Sequence, residues 1–124
     1  MHRSACAVLL ALASLAAAPD TMRVRATAYC QSGTTKSGLR TRTGVVAADP
    51  RILPVGSVLR IIEGVTAGVY TVLDTGAAVK GRKIDIFIPN CRSARRFGAQ
   101  TLRVRVLRRG WDPKSAPDVV TEWR

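Results

Sequence analysis

Two carboxylates, Asp74 and Asp85, are the residues whose type and spacing point most directly to chemistry. They lie eleven positions apart in a region otherwise rich in lysine and arginine. Asp74 ends an apolar run and is followed by Thr75 and Gly76, as expected where a strand runs into a tight turn. The segment from 22 to 110 holds only four acidic residues, Asp49, Glu63, Asp74 and Asp85. Carboxylates retained in so basic a segment indicate a function.

Asp85 lies in a second apolar run, whose side chains alternate between two faces. One face is made of Ile84, Ile86 and Ile88. Because isoleucines belong to the core, Asp85 is predicted on the opposite face, beside Phe87. Partial burial and a nearby second carboxylate both disfavour ionisation, so one carboxyl of such a set can stay protonated and act as an acid. The alternative is that the aspartates only accept hydrogen bonds from loop amides.

Composition excludes several other kinds of site. His2 is the only histidine, which excludes the usual zinc sites and any Cys-His or Ser-His nucleophile. We therefore expect no metal and no cofactor. A formal charge of +12 over 124 residues favours an anionic partner, either a nucleic acid, a membrane surface or an acidic wall polymer. Aromatic content of 5% argues against a platform for single-stranded nucleic acid, so no nucleic-acid partner is expected.

The first residues are typical of a secretory signal peptide, predicted over 1–18. A basic start precedes an apolar stretch shorter than the ~20 residues of a membrane span, and small residues place cleavage near Ala17 or Ala18. A buried amphipathic helix is the alternative. The mature chain is thus expected in the periplasm, the cell wall or outside the cell, as a monomer without a membrane span. Export leaves Cys30 and Cys91 as an even pair in an oxidising compartment, which predicts a disulfide.

Six short strands and one helical turn are predicted to position these residues. The strands are 23–29, 44–48, 58–62, 68–74, 84–88 and 101–107, and the helical turn is 93–97. A closed all-β barrel is the small architecture that best removes exposed edges. The polar stretch 31–44 is predicted to be an exposed loop lining a cleft. Residues 110–124 are interpreted as a tail whose Trp111 and Trp123 pack on the barrel rather than bind a ligand.

The chain resembles the three-aspartate (3D) domain family, which is similar to the barrel domain of membrane-bound lytic transglycosylase A. The matching stretches follow the family order and cover nearly the whole domain predicted over 22–109. They read Ala-Thr-Ala-Tyr at 26–29, Gly-Val-Val-Ala-Ala-Asp-Pro at 44–50, Leu-Pro-Val-Gly-Ser at 53–57, Asp-Thr-Gly-Ala-Ala-Val-Lys-Gly at 74–81, Ile-Asp-Ile-Phe at 84–87 and Phe-Gly at 97–98. The resemblance implies a six-stranded double-psi β-barrel in which Asp49, Asp74 and Asp85 meet in one groove.

The resemblance also implies an activity, the lytic transglycosylase cleavage of the MurNAc–GlcNAc bond in peptidoglycan. Asp85 would be the general acid and base, with Asp74 as its closest partner and Asp49 holding hydrogen bonds or positioning the sugar. The substrate-binding residues would be Thr75, Gly76, Lys80, Phe87 and Tyr29. The partner would be peptidoglycan or another anionic wall polysaccharide.

Two alternatives from other functional classes remain, a non-catalytic module that binds wall polysaccharide and a hydrolase that acts on a related glycan with water. Asp-Thr-Gly at 74–76 also matches the signature of aspartic proteases. That fold needs a second apolar-apolar-Gly element downstream, and none follows between Asp85 and Gly110. A protease dyad would also leave Asp85 without a role.

Overall fold

The computed structural model describes residues 21–111 and contains six strands and one short helix. The elements are β1 Thr21–Tyr29, β2 Val45–Ala48, β3 Val58–Ile61, β4 Gly68–Asp74, β5 Lys83–Phe87, α1 Cys91–Phe97 and β6 Gln100–Arg108. Each strand agrees with its predicted counterpart to within two residues at either end. The predicted signal peptide at 1–18, most of the predicted tail and Trp123 lie outside the described residues.

The six strands close into a barrel in the order β1-β5-β2-β4-β3-β6. The pairs β1–β5 and β2–β4 are parallel, and the other four pairs are antiparallel. Every strand therefore has two hydrogen-bonded neighbours, so none of the six is left as an exposed edge. This confirms the predicted all-β class and the six-stranded double-psi barrel with a short helix.

Alternation along the strands fills the inside of the barrel with apolar side chains. Ile84 and Ile86 of β5 are buried there, while Asp85 between them points to the outside. The largest fully buried members of this core are Val24, Val46, Leu59, Ile61, Val72, Ile84, Ile86 and Val104. Full burial of each such side chain contributes about 1.5–3 kcal/mol, so the core fixes which residues of each strand face outward.

The helix α1 is tied to β1 by a disulfide. Cys30, directly after β1, is bonded to Cys91, the first residue of α1, with a Cα–Cα distance of 5.1 Å. This is the predicted pair. The helix begins two residues earlier than predicted because the Asn90 side chain accepts a hydrogen bond of 3.0 Å from the backbone N–H of Ser93 and caps it. The helix ends at Phe97 and is followed by the capping residue Gly98, where φ is 65°.

The chain leaves the barrel through a close contact at Gly110. The backbone there passes so near the carbonyls of Pro54 and Val55 that no side chain would fit. Trp111 follows, and its backbone N–H donates to the Val55 carbonyl at 3.2 Å. The Trp111 side chain is 51% exposed, so its ring packs on the barrel only in part. Along residues 21–111, no helix is both long and apolar enough to cross a bilayer.

Candidate active site

Strand register places four outward-facing residues side by side across the barrel. Thr27 of β1 is paired with Asp85 of β5, Asp85 with Ala47 of β2, and Ala47 with Asp74 of β4. We call this set the aspartate row. Because neighbouring strands lie about 4.8 Å apart, the Cα atoms of the two aspartates are roughly 10 Å apart. The row thus brings Asp74 and Asp85 to the same outer face, with only the small Ala47 between them.

The outer face next to the row is not open to solvent. Val45, Leu73 and Phe87 form a second apolar cluster there, and Tyr29 packs against it. The Tyr29 and Phe87 rings are tilted, with centroids 5.4 Å apart. Asp85 therefore lies half-buried at the edge of an apolar cluster rather than on a fully solvent-exposed surface.

Burial raises the pKa of the Asp85 carboxyl above its ordinary value. Two weaker effects oppose this and lower the pKa, the hydrogen bond from Thr27 and the positive charge of Lys83. The Thr27 hydroxyl Oγ1 donates to Asp85 Oδ1 at 2.9 Å. Desolvation disfavours the charged form of a carboxyl, so Asp85 holds its proton to higher pH than a free aspartate does. That property is what a general acid needs.

Asp74 is held by backbone amides. Its Oδ1 accepts from the N–H of Lys36 at 2.9 Å and from the N–H of Thr75 at 3.0 Å. Ser37 N–H also donates to the carbonyl of Leu73 at 3.0 Å. The loop 31–44, predicted to be exposed and to line a cleft, is therefore docked on the end of β4 through Asp74 and its neighbour.

The Tyr29 hydroxyl is affected by the charges of both carboxylates. Burial, followed by the negative charges of Asp74 and Asp85, raises the pKa of Tyr29 to about 12. Within residues 21–111, the buried Tyr29 hydroxyl has no hydrogen-bond partner. The phenol therefore stays protonated at neutral pH and is a free donor close to both aspartates.

Asp49 is buried directly after the end of β2. Its side chain is 1% exposed. Four donors surround its carboxylate, the backbone N–H, Nε and Nη2 of Arg51 and the backbone N–H of Gly81, at 2.8–3.1 Å. These bonds, led by the Arg51 side chain, hold the Asp49 pKa far below its usual range. Asp49 thus joins β2 to the loop before β5, and its four hydrogen bonds come from Arg51 and Gly81 rather than from the aspartate row.

The residues predicted to bind substrate differ in exposure. Thr75 and Gly76 form the turn after Asp74, and a side chain at Gly76 would collide with Val79. Lys80 is exposed in the same loop. Phe87 is 5% exposed, so it buries Asp85 and offers little ring surface to a sugar.

Sequence reasoning missed the partners of the two aspartates. Strand alternation places Thr27 on the outward face of β1, two residues before Tyr29, and this could be read from the sequence. Its pairing with Asp85 could not, because that pairing depends on a parallel register between distant strands. The backbone amide of Lys36 carries no sequence signal at all. Along residues 21–111, no group of three His, Cys, Asp or Glu side chains could hold a metal ion.

A cavity of about 580 Å³ lies elsewhere and shares no residue with the aspartate row. It is lined by Val65, Thr66, Tyr70, Ile88, Ser93, Arg96, Phe97 and Gln100. Thr66 Oγ1 is buried there without a hydrogen-bond partner among the described residues. We base the candidate site on the aspartate row because the carboxyl with a raised pKa is there, whereas the cavity contains no acid.

Comparison with known proteins gives a consistent result for sequence and fold. The profile of the 3D domain matches residues 44–108. The cell wall-binding protein YocH of Bacillus subtilis is 39% identical over 95 residues, which cover 69% of this chain and 32% of YocH. Among solved structures, Escherichia coli MltA with bound chitohexaose superposes with a TM-score of 0.52 at 21% identity, covering 65% of this chain and 29% of MltA. Another crystal structure of Escherichia coli MltA, described as revealing a unique lytic transglycosylase fold, gives a TM-score of 0.51 at 22% identity over the same shares.

The matched region is only part of each relative. The chain spans less than a third of the length of YocH and of MltA. At this identity the likeness to MltA shows a shared barrel fold.

Proposed function

This chain belongs to the 3D domain family, and from that premise we propose that it is a cell-wall-associated lytic transglycosylase. It would cleave the MurNAc–GlcNAc bond of peptidoglycan and leave anhydromuramyl ends. The observation that carries the proposal is the Asp85 carboxyl, which is half-buried, hydrogen-bonded to Thr27 and raised in pKa. It lies in one row with Asp74, on the same outer face of the barrel.

In the proposed reaction a single carboxyl acts first as acid and then as base. Asp85 gives its proton to the departing GlcNAc oxygen while the bond to the anomeric carbon of MurNAc breaks through an oxocarbenium-like state. The resulting carboxylate then accepts the proton of the MurNAc C6 hydroxyl as that oxygen attacks the anomeric carbon. The product is an anhydro ring, no water is consumed, and Asp85 regains its proton.

The neighbours of Asp85 have supporting roles in this proposal. Asp74 contributes negative charge on the side where positive charge develops on the sugar, and its amide bonds keep that carboxylate in place. The unpaired Tyr29 hydroxyl is a donor available to the Asp85 carboxylate or to the sugar. Thr75, Gly76 and Lys80, in the adjoining loop, would contact the glycan. Asp49 would act only by holding the fold together.

Association with the cell wall and export are proposed on separate grounds. YocH, which aligns with this chain over 95 residues, is named as a cell wall-binding protein. The disulfide between Cys30 and Cys91 fits an oxidising compartment outside the cytoplasm. The net charge of +12 favours retention on anionic wall material.

A non-catalytic wall-binding module is the second candidate. The name of YocH favours it, and the bonds from loop amides to Asp74 give that carboxylate a structural role that needs no catalysis.

Digestion of purified peptidoglycan, followed by mass spectrometry of the soluble products, tests the proposal. Anhydromuramyl ends are the expected result, since the C6 hydroxyl replaces water. Reducing ends would instead identify a hydrolase. No released product together with retention of the protein on sacculi would identify the binding module and overturn the enzymatic proposal.

A further inference from the structure

A group of arginines covers the outer surface of β1, β6 and β3. The residues between them, such as Val24, Leu59 and Val104, belong to the core, so the arginines point away from the barrel. We call this surface the arginine face, made of Arg23, Arg25, Arg60, Arg103 and Arg105.

The strand register sets like charges directly opposite one another on the arginine face. Arg23 of β1 is paired with Arg103 of β6, and Arg105 of β6 with Arg60 of β3. Like charges at directly opposed positions destabilise a sheet. Among the described residues a single carboxylate compensates, that of Glu63, whose Oε1 lies 3.6 Å from Arg103 Nε.

Arg105 supplies a second observation. Its Nε is buried and has no hydrogen-bond partner among residues 21–111. A donor of a charged group that is withdrawn from water without an acceptor is costly. A bound anion would offset the repulsion between the paired arginines and would give the Arg105 guanidinium, whose Nε lacks an acceptor, a partner of opposite charge.

The part of the arginine face on β6 and β3 is separate from the candidate active site. In the closed order β1-β5-β2-β4-β3-β6, strand β6 lies on the opposite side of the barrel from β2. Ala47 of β2 is the centre of the aspartate row, with Asp85 and Asp74 on either side. A ligand that lies along β6 and β3 could therefore bind without covering the aspartates, whereas Arg25 of β1 lies only two residues from Thr27 of the aspartate row.

We propose that the arginine face binds a linear phosphodiester polymer, of the polyol-phosphate type. Guanidinium groups pair with phosphate oxygens through two parallel hydrogen bonds. Successive outward residues on one strand are about 6.8 Å apart. Arg103 and Arg105 therefore present positive charges at a spacing that matches a polymer with one phosphate in each short repeating unit. The outward residues paired with Arg25 and Arg105 across β1–β6 are Thr101 and Thr21, which offer no ring on which a nucleic-acid base could stack.

Titration of the full chain with poly(glycerol phosphate) at several salt concentrations tests this proposal. The variant R23Q/R103Q removes one opposed pair from the face, and R92Q/R95Q removes two exposed arginines from α1 as a control with the same net charge. We expect R23Q/R103Q to bind about tenfold more weakly, with a salt slope smaller by about 1–2, because each phosphate contact contributes roughly 0.7–0.9 to that slope. The control should bind nearly as wild type.

Several outcomes would overturn the proposal. An equal loss in both double variants would show that only net charge matters. Equal binding to polyglutamate of the same charge, or tighter binding to DNA, would contradict the assignment to a polyol-phosphate chain, as would no binding of poly(glycerol phosphate). Both variants should still fold, since the removed charges repel one another, and their melting curves check this. Peptidoglycan cleavage by R23Q/R103Q is measured separately, and we expect it to persist. A failure of polymer binding can therefore be told apart from a failure of the proposed catalysis.

Discussion

Replacing Asp85 by asparagine isolates the one chemical property on which the proposed reaction depends. The side chain keeps its size and an oxygen that can accept the 2.9 Å hydrogen bond from Thr27. It loses only the transferable proton. General acid–base catalysis contributes about 10²–10⁴-fold to a rate, which corresponds to about 2.7–5.4 kcal/mol in the activation barrier. The release of anhydromuramyl products by Asp85→Asn should fall by a factor of at least about 10².

The same variant should leave the fold intact, and the sign of the stability change follows from the pKa. Burial raises the pKa of Asp85 in the folded protein, so the folded state is stabilised at low pH and loses that stability as the pH rises through the raised pKa. Above that pKa the wild type carries a cost of ionising a half-buried carboxyl, and the neutral amide avoids it. Asp85→Asn should melt at or above the wild-type temperature at neutral pH.

The assay compares wild type and Asp85→Asn on the same peptidoglycan, with anhydromuramyl products measured by mass spectrometry and melting curves recorded in parallel. A variant that melts normally and still releases these products at the wild-type rate would remove Asp85 from the mechanism. A variant that is inactive because it is unfolded is recognised from its melting curve.

A companion variant, Thr27→Val, tests the environment of Asp85 without touching the carboxyl. The hydrogen bond from Thr27 lowers the pKa of Asp85, so its removal should raise that pKa further. A general acid would then stay protonated to higher pH, and the alkaline limb of the pH–rate profile should move upward. An unchanged profile would refute this use of the Thr27 bond.

Three further outcomes are expected elsewhere in the chain. Asp74→Asn should lower the cleavage rate by less than Asp85→Asn does. It removes a charge beside the reacting sugar, but its side-chain oxygen can still accept the hydrogen bonds from the loop amides. A cleavage rate equal to that of the wild type would contradict the proposed role of Asp74. Asp49→Asn should lower the melting temperature, and the difference should shrink in strong acid, because the stabilisation from a lowered pKa is lost as the pH falls through that pKa. Replacing Cys30 and Cys91 by serine opens a disulfide spanning 61 positions and should lower the free energy of unfolding by about 4 kcal/mol, as read from urea denaturation.

Local pattern was sufficient for the elements of this fold. The alternation around Asp85 predicted which side chains enter the core, because a strand sends successive residues to opposite faces wherever it lies. The turn after Asp74 followed in the same way from Thr75 and Gly76. The double-psi class came from family resemblance, and the order of the strands around the barrel is known only from the structure, since pairing between distant strands leaves no periodic trace in the sequence.

The tertiary structure decided which of the acidic residues belong together. The sequence pattern singled out Asp74 and Asp85, and the resemblance added Asp49 and implied that the three meet in one groove. Only the pairing of β2 with both β4 and β5 sets Asp74 and Asp85 on either side of Ala47, while the turn after β2 buries Asp49 against Arg51. The chemistry of each carboxyl depends on its desolvation and its donors, and these are set by residues distant in the chain. The sequence thus determined the strands and the candidate acids, and the packing of distant strands determined which acid has a raised pKa.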